Sequence, residues 1–451
     1  MAAKDKDRMS PRVLSFFDAT EAGGNDLPGS QVSMKLNNIG RGALASILSL
    51  AIGLGVTACS RDYTLAYVYV TTSKPLASGS AAGGISAYAV DYQSGSLIPL
   101  ADSPIPAGKK PVTLVASPAS ANGQFIYVIN HDDSTVMEFA IGTDGKLYLK
   151  NTYNTTGSLP TAAAINAAGT FLYVTNTYQN GPNNTQLYTP ASPGPGSVTI
   201  FPINKDGSLG TAQTQNVGNN PVGIAASKLN NYVYVLDQEN TTTSPVGVAL
   251  GYSSDATTGA LTPTTGGTVV LNGVAITNGY PAGTTPSAIA EDPSARFVYV
   301  TDQATNQLYG YLTGPNGQLV TMTNGPFSTG LFPVGITIDP RGKYLYVANY
   351  NSNTIGAYAI DVATGAPVGS IGSTSTLVGT GPTCIAIEPA LGKYLYTSNN
   401  LDGTVSGEQL DSHNGGLTSI QNTPFPSSAL PTCAVAVANG AYGHPNQIIN
   451  P

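Results

Sequence analysis

A short alternation of aromatic and aliphatic residues recurs along the chain after Arg61. β-Branched and aromatic residues in alternation are typical of a strand with two distinct faces. The pattern therefore predicts seven related strands, which we call the Tyr strands because each carries a tyrosine at the same place. They read AYVYV (66–70), FIYVI (125–129), FLYVT (171–175), YVYVL (232–236), FVYVT (297–301), YLYVA (344–348) and YLYTS (394–398).

A second repeated segment opens with proline and a small or β-branched residue, and we call its copies the Pro strands. They begin at Pro111, Pro160, Pro221, Pro286, Pro333, Pro382 and Pro431. A third segment follows the Tyr strand, as in NTIGAYAID (353–361), and leads through a glycine-bearing turn to a short fourth strand. Four short strands repeated about every 50 residues are typical of a β-propeller blade. The sequence therefore predicts an all-β, seven-bladed propeller of four-stranded blades over residues 60–438, followed by a tail (439–451).

The phase of the repeat predicts how the ring closes. The chain begins with a Tyr strand that has no Pro strand before it, and it ends with a Pro strand that has no Tyr strand after it. We therefore expect CAVAVA (433–438) to pair with AYVYV (66–70). This pairing of the C-terminal with the N-terminal strand removes the free sheet edges, which are an aggregation hazard.

Two segments carry a family resemblance. LYVTN (172–176) and KYLYVANYNSNTIGAYAID (343–361) resemble the YVTN repeats of the propeller lactonase family, which includes bacterial 6-phosphogluconolactonases and fungal carboxymuconate-lactonising enzymes. The resemblance spans residues 63–438. It implies a propeller without a metal or other cofactor, and lactone hydrolysis by His, Glu and Arg residues around the channel mouth. The same repeats also occur in surface proteins with no known reaction.

The N-terminal region predicts export. Residues 43–58 are apolar and follow Lys35 and Arg41, and the stretch is shorter than the ~20 residues of a spanning helix, so a signal peptide over 34–59 fits better than an uncleaved anchor. Its end, VTAC (56–59), is similar to the bacterial lipobox, which implies lipid on Cys59 and a membrane as partner. Ser60 then favours the outer membrane over the inner. Residues 1–33 are either a polar leader or upstream of a true start at Met34.

Composition excludes one class of partner. Charged residues make up 10% of the chain. There are 18 Lys and Arg and 25 Asp and Glu, which gives a net charge of −7. Nucleic-acid binding requires clustered Lys and Arg to neutralise phosphates. No such cluster follows Ser60, so no nucleic-acid partner is expected, and the propeller is expected to be a monomer.

The two cysteines beyond Cys59 occupy equivalent places in consecutive Pro strands. Near the axis of a sevenfold ring, equivalent Cα atoms lie about 6 Å apart, within the range of a disulfide. An exported protein permits the bond. We therefore expect Cys384 and Cys433 to form a disulfide, with two buried free thiols as the alternative. Without a nearby His they are a poor zinc site.

The topology sorts the polar residues between two faces. Loops before the Pro strands and after the Tyr strands share what we call the mouth face, whereas turns after the Pro strands lie on the far face. The far face is expected to hold Arg296, Arg341, Lys343 and Lys393, with roles in turns or solubility. The mouth is expected to hold Lys109, Lys110, His131, Asp132, Asp133, Asp237, Glu239, Asp302, Tyr350 and Asp402.

His131 is the candidate general base, since imidazole titrates near neutral pH. Lys110 would offset oxyanion charge, and Asp237 and Glu239 complete the candidate catalytic set. The candidate ligand-binding residues are Lys109, Asp132, Asp302, Tyr178, Tyr188 and Tyr350. The alternatives are a solvated loop histidine and, for the Asn or Asp that ends each Tyr strand, a turn-forming role.

Two functions remain open, and the first is favoured. One is a non-catalytic recognition module of the cell envelope that binds a small molecule, glycan or protein at the mouth. The other is a metal-independent lactone hydrolase with His131 as base. No Arg maps to the mouth, which departs from the family pattern. A redox or metal accessory propeller is disfavoured because no haem motif is present.

Overall fold

The computed structural model describes residues 64–120, 122–179, 195–239, 246–271, 274–370 and 375–440. All of them belong to the compact unit Asp62–Pro451. Within these ranges, no helix is long and apolar enough to cross a membrane.

The strands form seven blades, which we number in chain order. Blade 1 contains β1 (Thr64–Thr72), β2 (Ala82–Asp91), β3 (Leu97–Pro99) and β4 (Ile105–Lys109), and its innermost strand comes from the end of the domain. Blade 2 contains β5 (Pro111–Ala116), β6 (Phe125–Asn130), β7 (Thr135–Ile141) and β8 (Leu147–Asn154). Blade 3 contains β9 (Gly157–Ile165), β10 (Phe171–Gln179), β11 (Ser197–Pro202) and β12 (Gln213–Asn216).

Blade 4 contains β13 (Pro221–Ala226), β14 (Tyr232–Glu239), β15 (Val246–Ser254) and β16 (Leu261–Pro263). A separate hairpin of β17 (Val269–Leu271) and β18 (Val274–Ile276) follows, and β19 (Gly279–Pro281) then returns to the sheet of blade 4. Blade 5 contains β20 (Pro286–Glu291), β21 (Phe297–Asp302), β22 (Gln307–Thr313), β23 (Leu319–Thr321) and β24 (Phe327–Ser328). Between β16 and β20 the chain therefore forms a hairpin and an extra strand, β19, that pairs with β15.

Blades 6 and 7 contain β25 (Pro333–Ile338), β26 (Tyr344–Asn349), β27 (Thr354–Ile360), β28 (Pro367–Ser370) and β29 (Thr376–Leu377); then β30 (Pro382–Ile387), β31 (Tyr394–Asn399), β32 (Thr404–Leu410), β33 (Leu417–Ser419) and β34 (Phe425–Pro426). The final strand, β35 (Pro431–Ala438), is the innermost strand of blade 1.

The ring closes as the phase of the repeat predicts. β35 runs antiparallel to β1, with Val435 opposite Tyr69 and Val437 opposite Tyr67. The inner strands contact one another in the order β35, β5, β9, β13, β20, β25, β30 and back to β35. The predicted fold, an all-β seven-bladed propeller closed by its terminal strands, is confirmed.

The repeated tyrosine explains why the blades hold together. All seven of these tyrosines are fully buried. In six blades the phenol donates to the carbonyl of a turn glycine in the next blade, while Tyr173 instead bonds the Ser254 hydroxyl at 2.5 Å. The six pairs are Tyr69–Gly145, Tyr127–Gly207, Tyr234–Gly317, Tyr299–Gly365, Tyr346–Gly415 and Tyr396–Gly95. Burial raises the pKa of these tyrosines, so they remain neutral donors.

The same turn requires glycine for a second reason. Gly95 has a φ of +72°, and a Cβ there would lie 2.4 Å from Cδ1 of Tyr394 in the preceding blade. Gly145 repeats the arrangement under Tyr67, with a φ of +78°. Each blade is therefore locked to the next by a hydrogen bond and by a ring packed flat on backbone.

Candidate functional site

The loop that carries His131 is anchored by the residue before it. Asn130 ends β6 and is fully buried. Its Oδ1 accepts from the Gly108 amide at 3.1 Å, and its Nδ2 donates to the Thr135 hydroxyl at 3.1 Å. The backbone N–H of His131 then donates to the Lys110 carbonyl at 3.0 Å. These bonds fix the position of His131 on the mouth face.

His131 and Asp132 form a hydrogen-bonded pair. Nδ1 of His131 lies 2.6 Å from Oδ1 of Asp132, and the imidazole keeps 21% of its side-chain surface exposed. Because an ionised carboxylate only accepts hydrogen bonds, this contact favours the neutral tautomer with its hydrogen on Nδ1, in which Nε2 is the ring's acceptor. Asp132, predicted as a ligand-binding residue, therefore orients the imidazole.

Lys109 and Lys110, which precede β5 of blade 2, differ in their surroundings. Lys110 Nζ lies 3.9 Å from Asp132 Oδ1, with half of its side chain exposed. Lys109 is exposed, and its backbone N–H donates to Oδ2 of Asp133 at 3.0 Å. Asp133 also accepts from the Thr135 hydroxyl at 2.9 Å, so its carboxylate holds the loop. Lys110 is thus the cation nearest to the His131–Asp132 pair along this loop.

The mouth is rimmed by residues in an unusual backbone conformation. Lys110, Leu159, Phe332 and Leu430 each precede the proline of an inner strand, and their φ angles are +50°, +54°, +56° and +59°. Bulky residues rarely adopt the left-handed region, and such strain clusters at functional sites. Gly381 occupies the same place in blade 7 with a φ of +67°.

An apolar arc lies on the blade 6 and blade 7 side of the mouth. The rings of Phe332 and Tyr350 are 6.1 Å apart and tilted by 56°. Gly381 lies between Tyr350 and Leu401, since a Cβ there would come within 3.0 Å of both. Leu401 is 60% exposed and Leu331 is 55% exposed. Blade 1, with Leu430, separates this apolar arc from the His131 pair of blade 2.

Asp237 and Asp302 belong to the walls of the blades. Both are fully buried. Asp237 accepts from the amides of Asn219 and Asn220 through Oδ1, at 3.1 and 2.7 Å. Asp302 accepts from the amides of Thr284 and Thr285 at 2.8 and 2.9 Å. The structure therefore places both carboxylates on backbone donors, as the turn-forming alternative predicts.

The remaining mouth residues are placed only in part. Tyr178 lies near the end of β10 and is half-buried, and it pairs with Ser158. Asp402 is held by Thr380 and Thr404; burial opposes its ionisation, but these hydrogen bonds outweigh it and lower the pKa. Glu239 ends β14, but its side chain lies outside the described residues. Tyr188, Cys59, the signal segment 34–59, the leader 1–33 and most of the tail also lie outside them.

The far-face cations have the structural roles expected from the sequence. Arg341 Nε donates to Asp339 Oδ2 at 2.7 Å, while Arg296 and Lys393 lie over the rings of Phe297 and Tyr394 at 4.7 and 4.8 Å. The backbone N–H of Lys343 donates to Asp339 Oδ1 at 2.7 Å.

Sequence reasoning missed the buried acids that shape these turns. Asp292, Asp339 and Glu388 are at most 2% exposed, and each accepts several backbone amides of the turn after an inner strand. The recurring EDP, IDP and IEP endings of the Pro strands carried this signal.

Cys384 and Cys433 are joined by a disulfide, with Cα atoms 4.8 Å apart. The bond connects the inner strands β30 and β35, so it ties blade 7 to blade 1. In the part of the chain that the structure describes, no group of three or more His, Cys, Asp or Glu side chains is arranged to hold a metal ion.

The closed ring of seven blades defines the class of protein: it is a seven-bladed propeller, with the His131–Asp132 pair at one end of its channel. A family model described as "Lactonase, 7-bladed beta-propeller" matches residues 82–277 and 267–386, more than half of the chain. The chain therefore belongs to this propeller lactonase family. No curated protein sequence matches it significantly.

Solved structures of low identity share the fold. A candidate 6-phosphogluconolactonase of Bacteroides fragilis is 22% identical, with a TM-score of 0.60 over 84% of this chain and 99% of that one. A second, from Bacteroides uniformis, is 20% identical, with a TM-score of 0.63 over 83% and 100%. The periplasmic gluconolactonase of Pseudomonas aeruginosa is 19% identical, with a TM-score of 0.61 over 83% and 99%.

Proposed function

We propose that the protein hydrolyses a lactone at the channel mouth, with His131 as the general base. The observation that carries the proposal is the 2.6 Å hydrogen bond between His131 Nδ1 and Asp132. It orients the imidazole and leaves Nε2 without a hydrogen-bond partner among the described contacts. Membership of the propeller lactonase family supports the same reaction.

The chemistry requires only a water molecule and the lactone. Nε2 of His131 takes a proton from water as its oxygen attacks the lactone carbonyl carbon. Lys110 offsets the negative charge that develops on the carbonyl oxygen. The ring C–O bond then breaks, and the imidazolium returns its proton to the leaving oxygen. The product is the open hydroxy acid.

The walls of the mouth favour an uncharged substrate with an apolar part. Phosphate is recognised best by arginine forks. The two described arginines of the propeller, Arg296 and Arg341, lie in far-face turns. The apolar arc of Phe332, Tyr350 and Leu401 instead offers a seat for an alkyl or aryl substituent.

The test is hydrolysis of a panel of lactones by the full chain. The panel contains alkyl- and phenyl-substituted γ- and δ-lactones beside 6-phosphogluconolactone. We expect the substituted lactones to be the better substrates. His131→Ala should lower kcat by about 10²- to 10⁴-fold, the usual contribution of a positioned base. Asp132→Asn should lower it less, because the imidazole remains present.

The far face supplies a matched control. His413 Nδ1 lies 3.5 Å from Asp411 Oδ1 in a turn where the imidazole is 93% exposed. His413→Ala should therefore leave the rate unchanged. Rates at background for every lactone, or equal rates in wild type and His131→Ala, would overturn the proposal.

A second candidate function is recognition at the cell envelope, with lipid on Cys59 as the anchor. The exposed leucines of the mouth face favour it, since Leu377 is 76% and Leu401 60% exposed. Exposed apolar groups on a rigid scaffold are typical of interaction sites. The periplasmic location of the Pseudomonas relative supports export, and the sequence predicts an outer-membrane position.

The anchoring is tested by growing a bacterium that expresses the full chain with an alkyne-tagged fatty acid. We expect label on the wild-type protein and recovery in the outer-membrane fraction. Cys59→Ser should lose both. Label retained by the variant, or no label on either protein, would contradict lipid attachment at Cys59. A Leu377→Ser and Leu401→Ser double variant should lose any protein or glycan partner captured by the wild type.

A further inference from the structure

Seven side chains occupy equivalent places around the channel mouth, one in each blade. Each belongs to the residue after the one that pairs with the inner-strand proline; in blade 2, Asn130 pairs with Pro111 and His131 comes next. In the other six blades this residue is Ser73, Thr177, Gln238, Gln303, Tyr350 and Asn400. His131 is therefore one member of a ring of equivalent side chains.

Side chains at this position reach the backbone of the mouth. Nε2 of Gln238 donates to the Pro286 carbonyl at 2.8 Å, and Nδ2 of Asn400 donates to the Pro431 carbonyl at 2.9 Å. Both prolines begin the inner strand of the next blade. The serine and threonine of blades 1 and 3 also donate to backbone carbonyls of the mouth. The position therefore directs a side chain along the entrance of the channel.

Gln303 is the same residue as Gln238, one blade further on, but its carboxamide makes no hydrogen bond to any described part of the chain. The carbonyl that it would need, that of Pro333, already accepts from the Ser287 hydroxyl at 2.6 Å. Blade 4 has Val222 in place of Ser287, so there the corresponding carbonyl is left to Gln238. Gln303 is half-buried, and both its donor and its acceptor remain open to a ligand.

Gln303 lies on the opposite side of the channel from His131. The inner strands follow one another in blade order, and blade 5 is three places from blade 2, the greatest separation in a ring of seven. Beside Gln303, blades 6 and 7 carry the apolar arc of Phe332, Tyr350 and Leu401. Across from the imidazole, the mouth therefore presents a neutral donor and acceptor, followed by an apolar surface.

This order of groups restricts the substituent that joins a lactone ring to an apolar chain. An ester or ketone linker offers only acceptors, so the oxygen of the Gln303 carboxamide would have no donor. A hydroxyl group pairs with the carboxamide but cannot itself connect the ring to a chain. An acylamino group is an uncharged connection that supplies one donor and one acceptor, which match the two ends of the carboxamide.

We propose that the mouth is specific for a lactone with an acylamino substituent on its ring, and that Gln303 is the specificity-determining residue that binds this amide. The lactone ring then faces His131, and the acyl chain lies on the apolar arc. The inference rests on the proposed function for the placing of the ring. The contact between the two amides does not depend on catalysis, so it can be measured separately.

Binding is measured with two ketones that cannot be hydrolysed, 2-(hexanoylamino)cyclopentanone and 2-heptylcyclopentanone. They share the ring and the chain length and differ in the amide. In isothermal titration calorimetry on the full chain, we expect the acylamino ketone to bind about tenfold more tightly or better. Gln303→Met keeps the length of the side chain and removes its amide. It should weaken the acylamino ketone by about tenfold and change the alkyl ketone by less than about twofold.

Gln238→Met is the matched control, because Gln238 has the same place in blade 4 but its amide is bonded to the Pro286 carbonyl. This variant loses a hydrogen bond of the fold, yet it should bind both ketones as the wild type does. Equal binding of the two ketones by the wild type, no binding of the acylamino ketone, or equal weakening by the two substitutions would overturn the inference.

Hydrolysis of the corresponding lactones separates this inference from the proposed function. The kcat/KM of α-hexanoylamino-γ-butyrolactone should exceed that of α-heptyl-γ-butyrolactone by about tenfold, and Gln303→Met should remove the difference mainly through KM. Preferred binding of the acylamino ketone without hydrolysis of either lactone would contradict His131 as the base and support the amide site. Hydrolysis of both lactones at equal kcat/KM, lost in His131→Ala, would overturn the amide site alone.

Discussion

Tyr396 of blade 7 donates its phenolic hydrogen to the carbonyl oxygen of Gly95 in blade 1, at 2.6 Å and across 301 residues of chain. The bond is the ring-closing member of a set that runs around the propeller. It joins the last complete blade to the one built from both ends of the domain. The Tyr396 side chain is fully buried.

Tyr396→Phe should therefore destabilise the protein by about 1 to 2 kcal/mol, because it leaves the Gly95 carbonyl without its donor. Urea unfolding followed by circular dichroism measures the change. Tyr148→Phe is the control, since Tyr148 is 54% exposed, and it should change the free energy of unfolding by less than about 0.5 kcal/mol. Equal effects of the two substitutions would show that the Tyr396–Gly95 hydrogen bond does not contribute to the free energy of unfolding.

Gly95→Ala should destabilise more strongly, by roughly 2 to 4 kcal/mol, since a left-handed φ and an overpacked ring both oppose the added methyl group. The new Cβ would lie 2.4 Å from Tyr394. Gly79→Ala separates the two causes, because Gly79 has a φ of +81° with nothing within 4 Å of an added Cβ. Thermal unfolding of both variants should show the smaller loss at Gly79. The same loss at both positions would mean that packing on Tyr394 contributes nothing.

The disulfide should stabilise the closed ring. Cys384 and Cys433 are separated by 49 residues, for which loop-closure entropy predicts about 4 kcal/mol. Cys384→Ala should lower the free energy of unfolding by a large part of that amount under non-reducing conditions. Adding a phosphine reductant should bring the wild type to the level of the variant and leave the variant unchanged. A wild type that keeps its stability when mass spectrometry shows reduced thiols would contradict this role.

Glu408 makes stability depend on pH. Burial raises the pKa of its carboxyl to about 7, from an ordinary value of 4.5. The folded state therefore binds this proton more tightly than the unfolded state, and stability falls as pH rises from about 4.5 through 7. Glu408→Gln removes the ionisation, so it should stabilise the protein at pH 8 by up to roughly 3 kcal/mol and much less at pH 4.5.

Melting temperatures of wild type and Glu408→Gln between pH 4.5 and 8 measure this difference. Glu138→Gln is the comparison, because the buried Glu138 carboxylate accepts from Asn151 and Tyr153 at 3.0 and 2.8 Å. That variant replaces a carboxylate that accepts two hydrogen bonds with an amide, and it should be less stable than wild type at pH 8. A gap between Glu408→Gln and wild type that does not change with pH would show that the Glu408 charge has no part in it.

The fold was predictable because its determinants are local and repeated. The tyrosine at Tyr127 or Tyr346 marks a strand by alternation, and the prolines at Pro111 and Pro333 mark where the inner strands begin. Repetition turns these weak local signals into a strong one. The closure of β1 on β35 followed from the phase of the repeat alone.

Of the candidate site, the sequence predicted which residues follow the Tyr strands but not which of them are buried. The sequence places His131, Asp237 and Asp302 after Tyr strands, yet it contains no sign of burial. In the structure Asp237 and Asp302 are buried on backbone amides, whereas His131 stays partly exposed beside Asp132. Which side chain reaches solvent depends on the loop of the preceding blade, a contact between distant parts of the chain.

The pairing of β35 with β1 also dictates an order of assembly. The innermost strand of blade 1 is the last strand of the domain to be synthesised, so the outer strands of that blade are made long before the strand that completes them. Contacts between such distant segments form slowly, since the loop entropy must be overcome first. Until residues 431–438 arrive, β1 presents an open edge of alternating aromatic and valine residues. Ring closure is therefore the step at which β1 becomes paired on both sides, with β2 and β35, and an aggregation-prone intermediate is lost.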